Sequence, residues 1–316
     1  MRHATIRQMQ IFDAVARHLS FSRAAEELHL SQPAVSLQIK QLEGLAGFSL
    51  FEQIGRRLHL TAAGEVLIRH ARTILGAVAD TEEAVMALRG RRAGGLRIAV
   101  VSTAKYFAPS MLSVFLAGYP GVELGLSVAN REQVIGLLKA NQVDLAIMGR
   151  PPTDFPVSAQ PFAKHPMVVI ANPSHPLTRR RNLTIGALAG ETFLLREQGS
   201  GTRVLTEGLL AEHNVSAARS IEMSSNETIK QAVMAGMGIS LLSRHTIGLE
   251  VSNGLLSILD VEGLPVMREW YIVHREGKQL LPVAGAFVDF LAKEGARRVE
   301  EATRCLPPRR RRSRSS

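Results

Sequence analysis

The chain has 316 residues, 46% of them apolar, with 38 Lys plus Arg against 28 Asp plus Glu and a single cysteine. That length allows about two domains, the apolar content excludes a disordered chain, and one cysteine excludes a disulfide framework or a multi-cysteine zinc site. No apolar run approaches the roughly 18 residues of a membrane span, and no apolar h-region follows Arg2, so a cytoplasmic protein without a signal peptide is expected.

The net charge of +10 is unevenly spread. Residues 1–92 carry 12 basic and 9 acidic side chains, residues 93–296 carry 18 and 17, and residues 297–316 carry 8 and 2. Most of the excess therefore sits near Pro307-Pro308-Arg309-Arg310-Arg311-Arg312-Ser313-Arg314. Residues 297–316 read as a basic, disordered, solvated tail. A non-specific nucleic-acid contact is the alternative there.

Met9, Phe12, Val15, Ala16 and Leu19 recur at helical spacing and predict a first amphipathic helix. Ser20 or Ser22 can cap a short second helix over residues 23–28, whose paired alanines permit a close crossing. His29-Leu30-Ser31 is a tight connection. Ser31 is placed as an N-cap and Pro33 in a first turn, where its missing N–H costs little. The third helix runs from Gln32 to about Leu45. Val35, Ile39, Leu42 and Leu45 make its buried face, and Gln32, Ser36, Lys40 and Glu43 its polar one. Two short helices on a three-residue turn form a helix-turn-helix, spanning Phe21 to Lys40, whose second helix can enter a DNA major groove. Gln32 suits a bidentate pair with adenine, Ser36 a base or phosphate, and Lys40 a phosphate. Periodicity alone leaves an ordinary three-helix packing unit equally open.

Residues 50–61 then read as a small β-hairpin wing with Arg56 and Arg57 at its tip, a position that suits a phosphate backbone or a narrow minor groove. Two solvated surface charges are the plain alternative. The stretch from Phe21 to Ser36, with Leu42-Glu43, Leu50-Phe51-Glu52 and Leu60-Thr61-Ala62-Ala63-Gly64, resembles the winged helix-turn-helix of LysR-type transcriptional regulators. The resemblance continues over nearly the whole chain except the tail. It implies that Gln32, Pro33, Ser36 and Arg56 face double-stranded DNA, with Arg23, Gln38, Lys40 and Arg57 as further candidates. One departure is Leu37, where many members have Arg. A contact is lost there, or Leu37 touches a thymine methyl.

Thr61 is a plausible N-cap for a long helix over roughly residues 62–90. Leu67, Ala71, Ile74, Val78, Thr81, Val85 and Leu88 repeat with alternating spacings of 4 and 3, a heptad seam that would pair two subunits. A helix lying on its own domain is the alternative. The resemblance implies the same linker helix, and a homodimer or homotetramer. Residues 90–95, rich in Gly and Arg, end it.

From Leu96 strands and helices alternate, which argues for an α/β fold with a parallel sheet. Residues 96–102, 122–128 and 144–148 read as strands, with helices near 106–117 and 131–141 between them. A second set begins near Val157 and includes Met167-Val168-Val169-Ile170. Trp270-Tyr271-Ile272-Val273 returns to the first half, and a helix from about Pro282 to Glu294 covers it. Two lobes with a cleft are expected, and the resemblance implies an effector domain similar to periplasmic solute-binding proteins. The expected domains are thus residues 1–61, a linker helix over 62–92, an effector domain over 93–296 and the tail.

Ligands in such folds bind beyond the strand ends, often at helix N-termini. Candidates are Ser102, Thr103, Lys105, Asn130, Arg196, Thr202, Arg203 and Asn226. Helix capping is the competing role for the Ser, Thr and Asn. Lys105, Arg196 and Arg203 would suit an anion. Residues 101–109, Asn130-Arg131-Glu132 and residues 144–152 further resemble the subgroup that regulates the RuBisCO (Calvin cycle) operon. That resemblance implies a phosphorylated metabolite or NADPH as effector, no bound cofactor, and RNA polymerase as a partner. A LysR-type regulator of another operon, with another small effector, stays open.

An enzyme fits poorly. Gly199-Ser200-Gly201 lacks the nucleophile-elbow spacing, Gly236-Met237-Gly238 lacks a third glycine, and the ten histidines form no H-x-x-x-H pair. A lone solute-binding module would leave the winged segment unexplained. A DNA-architecture protein would leave the α/β lobes unexplained.

Overall fold

The computed structural model describes residues 3–88 and 94–304. The Pro-Arg run, Cys305 and most of the joint at 90–95 lie outside the described residues. The chain divides into two compact units, and α/β structure begins after the long linker helix.

In the first unit each helix start has an identifiable cause. Thr5 and Gln8 form a capping box before α1 (Ile6–His18): Thr5 Oγ1 accepts from the Gln8 N–H at 3.1 Å, and Gln8 Oε1 accepts from the Thr5 N–H at 3.0 Å. Ser20, rather than Ser22, caps α2 (Phe21–Leu28) by accepting from the Arg23 N–H. Ser31 caps α3 (Gln32–Ala46), with Pro33 in its first turn. His29 takes the left-handed conformation that ends α2, at φ 53°. Phe12, Val15, Ala24, Val35, Ile39 and Leu42 are fully buried together. Leu19, expected on the apolar face, is 45% exposed because it is the left-handed cap that ends α1. Leu45 is only half-buried.

The wing consists of β1 (Phe51–Ile54) and β2 (Arg57–Leu60), antiparallel with Phe51 opposite Leu60. Gly55, at φ 64°, opens its two-residue turn, a conformation that glycine adopts without steric cost. Thr61 caps α4 (Ala62–Leu88), accepting from the Gly64 N–H at 3.0 Å. A Cβ at Gly64 would lie 2.2 Å from the Leu50 carbonyl oxygen, so only glycine lets helix and wing approach this closely. The heptad seam divides. Ala71 is fully buried, and Leu67 packs into the same three-helix core. Ile74 and Val85 are 39% and 43% exposed, and are free of that duty.

The second unit is built on β3 (Gly95–Val101), α5 (Ala108–Leu116), β4 (Glu123–Ala129), α6 (Arg131–Lys139) and β5 (Leu145–Met148). β3 lies between β4 and β5, parallel to both. Then come β6 (Val157–Ala171), β7 (Thr192–Arg196), α7 (Gly201–Glu212), β8 (Arg219–Met223), α8 (Asn226–Met234), β9 (Ser240–Ser243), α9 (Gly248–Ser252), β10 (Ser257–Ile258), β11 (Val266–Arg275) and α10 (Pro282–Thr303). β6 and β11 run antiparallel through both lobes. At one end Tyr271–Val273 pair with β5; at the other Met167–Ile170 pair with β9. The register shifts between Trp270 and Tyr271, where the ladder passes from one lobe to the other. The two lobes thus share a continuous two-stranded spine. α10 continues to Thr303, beyond the expected end near Glu294, so residues 297–303 are helical and not tail. Arg297 and Arg298 pair with Glu294 and Glu301 on that helix, at 2.6 to 3.3 Å.

Candidate functional site

The first candidate surface belongs to the helical unit. On α3, Gln32, Pro33, Leu37 and Lys40 are exposed and Ser36 half-buried; Pro33, Leu37 and Lys40 lie on the side away from Val35, Ile39 and Leu42, and Gln32 stands at the helix N-terminus. Gln38 stands apart. It is two residues from both Ser36 and Lys40, hence about 200° around the helix from each, and it is half-buried at the flank of the core face. Arg23 is exposed on α2, and Arg56 and Arg57 are exposed at the wing turn. Glu43, expected on the polar face, instead accepts from the Leu50 N–H at 2.7 Å and braces the start of the wing. Across α1 and α2, Arg17 forks onto Glu27 at 2.6 and 2.9 Å. Hydrogen bonds from Arg17 and His18 hold the Glu27 carboxyl down at about 2. These contacts fix how α2 sits against α1.

The second candidate is the cleft of the α/β unit. Ser102, Thr103, Asn130 and Thr202 all line it, with Ser200, Gly201, His165 and three arginines, Arg131, Arg150 and Arg268. The strand ends place them there: Ser102 and Thr103 follow β3, Asn130 follows β4, Arg150 follows β5, and Thr202 is in the first turn of α7. Asn130 also caps α6, its Oδ1 accepting from the Gln133 N–H at 3.0 Å.

The other sequence candidates stand elsewhere. Arg196 is buried. It donates to Ser102 Oγ at 3.1 Å and Asn226 Oδ1 at 2.7 Å, and forks onto Glu197 at 2.7 and 2.8 Å. Asn226 is 1% exposed beneath it. Arg203 pairs with Glu207 and Glu222. Lys105 pairs with Glu227 at 2.9 Å, and the Tyr106 hydroxyl donates to the same carboxylate at 2.6 Å. Burial would raise Glu227, but the bonds from Tyr106 and Lys105 hold it at about 2. Lys105, Arg196 and Arg203 are the cations expected to hold an anion. Each is already paired with a carboxylate: Lys105 and Arg196 reach from one lobe to the other, and Arg203 ties α7 to β8.

Sequence reasoning passed over the cations that remain. Arg131 donates to the carbonyls of Arg150 and Pro151 at 3.3 and 3.2 Å, and Arg268 to that of Gly149 at 3.2 Å. No carboxylate forms an ion pair with Arg131, Arg150 or Arg268 among the described residues. Burial, then the neighbouring Arg150, lowers the Arg131 guanidinium, opposed by Asp154; burial, then Arg150 and Arg131, lowers Arg268. Beside them His165 is 5% exposed, with neither ring nitrogen hydrogen-bonded. Its ring stacks on Trp270 at 3.8 Å, and burial, then His245 and Arg268, push it well below the usual imidazole range. Trp270 Nε1 donates to His245 Nδ1 at 3.1 Å, and burial and Arg244 push His245 down to about 4. The signal available in sequence was weak: Arg131 and Arg150 lie in the segments after β4 and β5, and Arg268 joins them only through the pairing of β11.

Among the described residues no cluster of three or more His, Cys, Asp or Glu could hold a metal ion. No described helix is long and apolar enough to cross a membrane.

A winged helix-turn-helix followed by a long helix and a two-lobed α/β domain with an open cleft defines a ligand-responsive, DNA-binding transcription regulator. The chain belongs to the lysR family of bacterial regulatory helix-turn-helix proteins: that family's helix-turn-helix matches residues 6–65, and the LysR substrate binding domain matches residues 89–296. It is 66% identical to the HTH-type transcriptional regulator CbbR of Rhodospirillum rubrum over 92% of this chain and 97% of that one. It is 48% identical to the RuBisCO operon transcriptional regulator of Allochromatium vinosum over 93% and 98%. Among solved structures, the regulatory domain of Synechocystis CcmR in complex with 2-PG is 44% identical, with a TM-score of 0.61, covering 63% of this chain and 96% of that one.

Proposed function

We propose that this protein controls transcription of a RuBisCO (Calvin cycle) operon in response to a phosphorylated metabolite bound in the α/β cleft. The observation that carries this reading is the match to a RuBisCO operon transcriptional regulator over more than nine-tenths of both chains. The cleft's unneutralised arginines agree with an anionic effector, and a related regulatory domain was solved with 2-PG, 2-phosphoglycolate. NADPH, also a phosphate-bearing anion, is a second effector candidate.

The protein acts in the cytoplasm by binding rather than by chemical turnover. Gln32, Pro33 and Ser36 read base edges in the major groove. Arg23, Lys40, Arg56 and Arg57 hold phosphates, and the exposed Leu37 lies beside Pro33 on the same face. Gln38, turned from that face, supports the helix rather than reading DNA. Ser102, Thr103, Asn130 and Thr202 contact the effector. Residues 1–61 form the DNA-binding domain, 62–92 the linker and 93–296 the effector domain. Ile74, Val78 and Val85 on α4 pair two copies of the chain, two such dimers make the tetramer, and RNA polymerase is the downstream partner. The effector transmits a signal only because it binds two lobe arrangements unequally.

DNase footprinting on the DNA upstream of the protein's own gene and of neighbouring genes tests this. A protected site that shortens or shifts with 2-phosphoglycolate, a sugar phosphate or NADPH is expected. A footprint that ignores all of them assigns the regulator to another operon and effector.

A further inference from the structure

Four side chains in one place are left over by the contacts described above. We infer that Arg131, Arg150, Arg268 and His165 form the subsite for a tetrahedral oxyanion, the phosphoryl group of the effector. The inference rests on the reading of the cleft as an effector site, and it specifies where the charge goes and what chemistry it has.

Three guanidiniums converge from three elements: the first turn of α6, the segment after β5, and β11. A guanidinium carries five N–H donors. Arg131 and Arg268 use some of theirs on the carbonyls of residues 149–151, which aims them without neutralising them. Partly buried like charges stay together at a cost that an anion between them relieves. The number of donors selects the anion. A planar carboxylate is satisfied by one bidentate fork, whereas three forks from different directions match a group with three oxygens and up to two charges. The N-terminus of α7 lines the same cleft, and its N-cap residue Ser200 makes no side-chain cap. Its first N–H groups add donors on the far side.

His165 is the independent sign that something polar belongs here. A buried polar group without a partner is rare in a folded chain, and His165 has two such atoms at the wall of the cleft. A neutral imidazole offers one N–H donor to an oxyanion, at no further charge repulsion with Arg268. The position opposite is Gly149, where a Cβ would stand 2.8 Å from His165 Nδ1, so no side chain of that residue fills the space.

The chain's single tryptophan, Trp270, stacks on His165 and reports the subsite directly. The full-length protein is titrated with 2-phosphoglycolate, followed by Trp270 emission and by calorimetry, with inorganic phosphate and glycolate as competitors. Saturable binding with a change in emission is expected, with competition by phosphate and none by glycolate. Arg150→Ala, Arg268→Ala and His165→Phe, the last keeping a ring on Trp270, are each expected to weaken binding about tenfold or more, the scale of a charge-assisted hydrogen bond. Operator affinity without the probe should stay at the wild-type value, which shows that the variants fold. Arg268→Lys and His165→Gln serve if the first variants do not. Competition by glycolate and not by phosphate overturns the inference. So does wild-type affinity in the Arg and His variants while Ser102→Ala or Thr202→Ala abolishes binding, a result that leaves the effector cleft standing. No binding of 2-phosphoglycolate, phosphate or sugar phosphates to the wild type overturns both.

Discussion

At the wing turn Arg56 and Arg57 project into solvent with no carboxylate partner among the described residues, while in the α/β domain Arg196 is buried and shared among Ser102, Asn226 and Glu197. The helical unit pairs Arg17 and Arg72 internally but leaves its wing cations available for a partner; the α/β unit spends most of its own on architecture. The difference follows from the surfaces they serve. A polyanion such as DNA is met by exposed charge, which is steered and screened by salt. A cleft between lobes needs charge held in fixed geometry, and fixed charge needs internal partners. Arg131, Arg150 and Arg268 break the second pattern, which is what marks them.

The sharpest break of this contrast is Arg196→Ala. Removing one partner of a buried, hydrogen-bonded ion pair costs about 3–5 kcal/mol. Urea unfolding should show that loss in the α/β domain, with operator affinity per folded molecule unchanged. A stable variant with weakened DNA binding would show that Arg196 serves the other function. A loss of stability is also expected without mutation. His245 has a folded-state value of about 4 against 6.5 for the ordinary imidazole, so its contribution is fully present above pH 6.5 and drains away as pH falls toward 4. Protonating Nδ1 there also breaks the bond from Trp270. The melting temperature should fall across that window, and His245→Phe should flatten the fall. An equal slope in the variant would locate the titration elsewhere.

Gln32→Ala is expected to cost about 1–3 kcal/mol at one base position and relax the preference there. Equal loss on all sequences would make Gln32 a backbone contact. The smallest effect belongs to Arg56→Ala. It should weaken binding uniformly and reduce the slope of log affinity against log salt by about 1. An unchanged slope would remove Arg56 from the phosphate set.

The two units also differ in how far sequence exposes them. In the helical unit the determining contacts are local. Ser20, Ser31 and Thr61 cap helices three residues away, and the buried face of α3 is spelled by spacing. Errors arise where tertiary duty overrides pattern: Leu67 and Ala71 serve the core rather than the free seam, and Glu43 turns to the Leu50 N–H. In the α/β domain the strands and the ends that form the cleft were legible, as were Ser102, Thr103, Asn130 and Thr202 as residues at those ends. Which arginines remain available was not, because that depends on which carboxylates lie near in space. Lys105 meets Glu227 from 122 positions away, and Arg268 reaches Gly149 across 119.

The spine of β6 and β11, with the Arg196–Ser102 and Lys105–Glu227 ties beside it, has a mechanical consequence. Lobes strung on two continuous strands and clasped by those ties resist being pulled apart. Such a joint works like a torsion bar and not like a jaw. What such a bar gives is a small angle delivered with high stiffness.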